Sequence, residues 1–130
     1  MSKRINYESG APWENIVGYC RAVQIGSTLE VSGTVAVDDK GLVGKGSFYE
    51  QTRFILQKIE GVLKRAGFEL TDVVRTRTFV TDISQWQEVG RAHGEVFGKI
   101  KPVTTMVEVS ALIDPDYLVE IEITAMKASA

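Results

Sequence analysis

Few side chains in this 130-residue chain have types and spacing suited to chemistry: one histidine, one cysteine, and fifteen basic against seventeen acidic residues. His93, in the run RAHGEVFG, would titrate near neutral pH and so make a natural general base. No serine or cysteine is spaced to serve it as a nucleophile, so packing at a helix–sheet or subunit boundary is the simpler reading. Cys20 follows Tyr19 and by strand alternation should face the core as a small hydrophobe. A lone thiol cannot close an internal disulfide, and no His/Cys set has zinc-ligand spacing, so no metal is expected. What remains is charge carried on strands. Arg75 and Arg77 alternate in VVRTRTFV, Glu120 and Glu122 in LVEIEITAM, with Glu30, Glu108 and Arg21 on neighbouring runs. Such rows either pair with one another or hold a charged ligand, and sequence parity leaves both roles open for Arg21, Arg75 and Arg77.

The elements that must carry these groups are legible as patterns. Tyr19 to Ala36 is rich in β-branched residues and broken at Gly26 and Ser27, which predicts two strands of a hairpin; Val37 to Gly41 then turns the chain. Ser47 and Glu50 have capping-box spacing. Phe48, Thr52, Ile55, Leu56, Ile59 and Leu63 follow at helical steps until Gly67 stops the helix. Val73 to Val80 is a strand with Val74, Thr76, Thr78 and Val80 on one side and Arg75, Arg77 and Phe79 on the other. Ser84 and Gln87 repeat the capping spacing, and Trp86, Val89, His93, Val96 and Phe97 form the stripe of a second helix ending near Gly98. Gly90 and Gly94 on that helix cost up to ~1 kcal/mol each in propensity, which points to a close backbone approach or to room for a ligand. Strands from Val103 and from Leu118 close the chain.

The order β-β-α-β-α-β-β gives an α+β domain spanning 1–130, with 1–17 as an N-terminal extension. Two helices can cover one face of one mixed sheet and no more. In the last strand Val119, Ile121, Ile123 and Ala125 form the apolar row, matched by Val103, Thr105, Val107 and Val109 in the strand before it. Thr104, Met106, Glu108, Glu120, Glu122, Arg75, Arg77 and Phe79 are left on the uncovered face. A face meant only for water would repeat Lys, Glu, Ser and Thr without Met and Phe, so this one is expected to meet further copies of the chain. The competing reading is an ordinary wet face with surface ion pairs worth ~0–1 kcal/mol each.

Composition narrows the partners. Neither a secretory signal nor an 18-residue apolar run is present, so membrane insertion is not expected and a reducing cytoplasm is the natural compartment. A net charge of −2 and a pI near 5.4 supply no broad positive field for nucleic acid.

The runs GYCRAV from Gly18, LEVSGT from Leu29, EQTRFILQKIEGVLKRAG from Glu50, DVVRTRTFVTD from Asp72, PVTTMVEV from Pro102 and LVEIEITA from Leu118 together resemble the RidA family, also called YjgF/YER057c/UK114. The resemblance covers nearly the whole chain. It implies a chorismate-mutase-like fold assembled as a homotrimer, with the sheets lining a central barrel and a small-molecule cleft at each subunit interface. It further implies hydrolysis of reactive 2-imino or 2-enamino acids to 2-keto acid and ammonia without metal or organic cofactor. RNA cleavage has also been attached to the family, and the acidic pI argues against it here.

Carried over residue by residue, Tyr19 would pack on or hydrogen-bond the ligand, Ser32 and Gly33 would offer main-chain contacts, and Glu120 would position or deprotonate the attacking water. The chain departs from the family pattern in two places. Where deaminating members read proline, small residue, arginine, serine, this chain reads Pro102, Val103, Thr104, Thr105, so Thr104 replaces the arginine implied to grip a substrate carboxylate. A charge-assisted bond is worth ~1.5–3 kcal/mol and a neutral one ~0.5–1.5, so the grip is weakened. Gly90 stands where several members have asparagine, which widens the expected cleft and changes its polarity, and Met106 is a further candidate ligand contact. Arg77 is the candidate replacement cation, and pairing with Glu108, Glu120 or Glu122 is the competing reading. A trimeric, non-catalytic ligand-binding or regulatory protein is the alternative function.

Overall fold

The computed structural model describes residues 3–128. Six strands form one sheet in the order β1-β2-β3-β8-β6-β7: β1 Arg4–Tyr7, β2 Ala22–Ile25, β3 Thr28–Thr34, β6 Val73–Val80, β7 Val103–Glu108 and β8 Val119–Met126. Between β3 and the first helix, β4 Val37–Asp38 and β5 Gly41–Leu42 make a small hairpin at the expected turn. All neighbours in the large sheet are antiparallel except β6 and β7, which run parallel. Helices α1 Phe48–Arg65 and α2 Trp86–Phe97 both lie on one face, as two helices and a single sheet require. This is the mixed α+β architecture the element order predicts.

Local chemistry accounts for the boundaries. Ser47 is extended and its Oγ accepts from the Glu50 N–H at 3.0 Å, which starts α1. Gly67 takes φ +81° beyond the last turn, and the Gly67 and Phe68 N–H groups donate back to the Lys64 and Leu63 carbonyls, closing the helix. Ile55, Leu56, Ile59 and Leu63 then bury fully against Val31, Val119, Ile121, Ile123 and Ala125 of the sheet. The buried Gln51 amide ties this layer to the loop before β8: its nitrogen donates to the carbonyls of Gly44 and Asp116, and its oxygen accepts from the Leu118 N–H.

Several expectations are corrected. Ser84 does not cap α2. Asp82 caps a short 3-10 turn by accepting from Ser84, and α2 begins after Gln85 with no side-chain cap. A bulge in β6 puts Val73, 3% exposed, in the core position expected of Val74, which is 39% exposed. Residues before Gly18 contribute β1, which extends the sheet beside β2, and a short π-helical turn at Glu14–Gly18.

The largest correction concerns β7. Its register sets Thr104 opposite Thr76 and Met106 opposite Thr78, both buried toward the helices. Residues opposite one another in a ladder point to the same face. Thr104 and Met106 therefore lie on the helix side, where Met106 packs against the core, and Val103, Thr105 and Val107 join Arg75, Arg77 and Phe79 on the open face.

Candidate functional site

The proposed site residues fall into two groups on opposite sides of the sheet. The first is built where β3 and β8 meet. Thr34 and Ile121 are paired core residues, and the register slips between Val31 and Thr34, so Ser32 and Gly33 sit in an irregular stretch beside Glu120. Glu120 lies opposite Phe79 on the open face. Its carboxylate is so close to Gly33 that a Cβ there would stand 2.5 Å from Oε2. The absence of a side chain at Gly33 is what makes room for the acid.

Arg21 completes this group, and sequence parity alone did not single it out. One terminal nitrogen of Arg21 donates to the Gly33 carbonyl at 2.8 Å, while its Nε is buried without a partner. Burial pushes the Glu120 carboxyl above the usual glutamate value; the Arg21 charge pulls it partway back and Glu122 adds to the rise. Lys58 on α1 is held below its ordinary value by burial and then by Arg21, and its ammonium donates to the Val37 carbonyl at 2.8 Å. A half-buried acid with raised proton affinity, fixed next to a cation, can accept a proton from water and return it.

Two shallow grooves flank this group on the open side. One, about 500 Å³, is lined by Cys20, Ser32, Glu30, Arg75, Arg77 and Glu122 among others. The other, about 430 Å³, is lined by Tyr19, Cys20 and Ser32 with Asn6 and Glu14. Tyr19 and Ser32 are thus brought together with each other, and the Ser32 hydroxyl donates to the Cys20 carbonyl at 2.7 Å. Cys20 lines both grooves instead of entering the core, because the chain before β2 has already left regular alternation. Arg77 pairs with Glu122 at 3.2 Å, which is the pairing reading and not the free cation. Glu30 accepts from Thr124, and Glu108 accepts from the Ile83 N–H at 2.9 Å. Among the described residues, no three His, Cys, Asp or Glu side chains gather closely enough to hold a metal ion.

The second group lies at the β7 edge, on the helix side. Thr76, fully buried, has its hydroxyl 2.8 Å from His93 Nε2 and 2.7 Å from the hydroxyl of exposed Thr104. His93 packs its ring against Phe97 at 4.8 Å, and burial alone holds its pKa below the ordinary value. The histidine therefore sits at the helix–sheet boundary, as the packing reading expected. Threonines at Thr76 and Thr78 in the row that faces the helices, with a lone histidine on the helix stripe, were the sequence signal that could have exposed the Thr76 link. Outside its own stretch of helix, no atom of the described residues lies within 4 Å of a Cβ built at Gly90 or Gly94, so neither glycine answers a close approach by another described element.

Large apolar side chains are exposed, among them Trp13, Ile16, Val17, Tyr19, Trp86, Val103 and Val107. No helix among the described residues is long and apolar enough to cross a membrane.

Residues 10–127 match the family model described as Endoribonuclease L-PSP. A crystal structure of a YjgF/YER057c/UK114 family member from Mycobacterium tuberculosis has a TM-score of 0.87 and 50% sequence identity, covering 96% of this chain and 100% of that one. A RutC family protein of Pyrococcus horikoshii is 34% identical over 126 residues, 96% of this chain and 98% of the relative. The 3-aminoacrylate deaminase RutC of Acinetobacter baylyi is 30% identical over 122 residues, 93% of this chain and 95% of the relative.

Proposed function

The chain belongs to the Endoribonuclease L-PSP family, also known as YjgF or RidA, and from that membership we propose that it is a cofactor-independent hydrolase of small reactive imines or enamines. The observation that carries the reading is the Glu120 carboxyl, half-buried with raised proton affinity, seated on Gly33 beside Arg21. In this mechanism Glu120 orients a water molecule and takes its proton as the oxygen bonds to the imine carbon. Glu120 returns that proton to the nitrogen, the carbinolamine hydroxyl gives up its own proton to the leaving nitrogen by way of the same carboxylate as the C–N bond breaks, and ammonia leaves an oxo acid. The deamination named for the Acinetobacter relative is a hydrolysis of this class.

The two groups of site residues favour clefts shared between copies. Glu120 and Gly33 face the open side, whereas Thr104 and Gly90 belong to the helix side, with β6 intervening between β8 and β7. Two strand spacings, about 10 Å, and the thickness of the sheet separate them. A small ligand meets both only if they come from different chains, which also gives the exposed apolar side chains somewhere to go. We take the assembly to be a homotrimer, and the ligand to be a small carboxylate.

One observation favours a second reading, a ligand-binding protein without catalysis: the Thr104 position offers a hydroxyl chain and no cation. The test generates 2-iminobutanoate in situ with a pyridoxal-phosphate-dependent threonine dehydratase and follows 2-oxobutanoate release. Acceleration at micromolar protein supports the hydrolase; an unchanged rate overturns it and leaves the binding protein.

A further inference from the structure

The Thr104–Thr76–His93 chain has a property that follows from counting protons. Thr76 has one hydroxyl proton and two neighbours within hydrogen-bond distance, His93 Nε2 and Thr104 Oγ1. Buried in full, it has no water to turn to, so both contacts must be satisfied by one donor and one acceptor role. If Nε2 carries the imidazole proton, it donates to Thr76, Thr76 donates to Thr104, and the Thr104 proton is free to point outward. If Nε2 is bare, Thr76 donates to it and must accept from Thr104, whose outward side then offers lone pairs alone. The state of a half-buried ring thus decides whether an exposed hydroxyl on the sheet edge is a donor or an acceptor.

We propose that His93 is a positioning residue acting through Thr76 on Thr104, and that a ligand carboxylate accepting from Thr104 draws His93 into its Nε2–H tautomer. The ligand class rests on the proposed function above; the relay itself does not. No charge is created in the ring. Nδ1 loses one proton, Nε2 gains one, and the two hydroxyl groups rotate to keep every buried donor paired. The anion is held by an oriented hydroxyl at the exposed end of a neutral chain.

His93 is the sole histidine, so its imidazole nitrogens are unambiguous in 15N NMR at neutral pH. In the ligand-free wild type Thr104 can serve Thr76 as donor or as acceptor, so both tautomers are populated; Thr104→Val leaves the Thr76 proton one acceptor, Nε2, and His93 is expected to move to the Nδ1–H tautomer. An unchanged tautomer in a folded Thr104→Val protein overturns the relay. Saturating 2-oxobutanoate should move wild-type His93 toward Nε2–H. Thr76→Val should abolish that response and weaken binding about threefold to tenfold, the loss of one neutral hydrogen bond. Thr76→Ser, which keeps the hydroxyl in a smaller side chain, should restore both and guards against a packing artefact. Binding of 2-oxobutanoate with no response at His93 overturns the coupling. If wild-type protein does not bind 2-oxobutanoate, the carboxylate reading fails with the coupling built on it, and the ligand-free Thr104→Val measurement still decides the relay.

Discussion

Substituting alanine for Gly33 isolates what holds the candidate acid in place. The added methyl carbon would lie 2.5 Å from Oε2 and 3.0 Å from Cδ of Glu120, where ordinary contact begins at 3.4 Å, so the carboxylate must retreat by about 0.9 Å. The group that yields is the end of a flexible side chain, so the fold should lose roughly 1 kcal/mol, the low end for overpacking. Catalysis is less forgiving, because a misplacement near 1 Å can cost about 10²-fold in rate. Gly33→Ala is therefore expected to unfold nearly as wild type in denaturant while losing about 10²-fold in 2-oxobutanoate release from the in-situ imine. In a Glu120→Ala background the same substitution should no longer cost stability, since the displaced group is gone. A folded Gly33→Ala protein with undiminished rate, or a stability loss that persists in full without Glu120, would show that the contact does not hold the acid in place.

Three further expectations concern the frame around the site. His93 is disfavoured as a cation by burial, so its folded pKa lies below the unfolded value of about 6.5. Its stabilising effect is then whole above that value and declines as pH falls through it toward the folded pKa, so the denaturation midpoint should drop between pH 7.5 and 5.5, and less so in His93→Gln. Gln51→Leu strands the Asp116 carbonyl and the Leu118 N–H, while the Gly44 carbonyl keeps the Ser47 N–H; it should cost about 1–3 kcal/mol for each group left buried and unpaired, read by chemical denaturation. Sedimentation equilibrium should return close to three times the 14.3 kDa chain mass; a single-chain mass would remove the shared cleft.

The parts of the fold that sequence made plain are those written in local signals. Ser47 and Gly67 bracket α1 because their roles need no partner elsewhere in the chain, and alternation in β8 identifies Ile121 and Glu120 as opposite in face. The face of β7 was not legible. VTTMVE has apolar and polar residues in both registers, so parallel pairing with β6 decides it, and that pairing is a tertiary fact. β1 was hidden for a similar reason, since Arg4–Tyr7 is mostly exposed and is a strand through its bonding to β2. At the site, Glu120 and Gly33 were named by resemblance and do meet, while Arg21 was named among the strand charges with its role left open, and its contact with the Gly33 carbonyl is a tertiary fact. Thr104, expected on the uncovered face, lies on the helix side as the exposed end of a hydroxyl chain that reaches buried Thr76 and His93.

The proposed hydrolysis depends on Glu120 to move the water proton. Glu120→Gln keeps the shape of the side chain, and because burial disfavours the charged form, the variant should be at least as stable as wild type at pH 7. With the imine supplied in situ, its rate of 2-oxobutanoate release should fall to the level of buffer alone. A folded Glu120→Gln protein that still accelerates release as wild type does would contradict it.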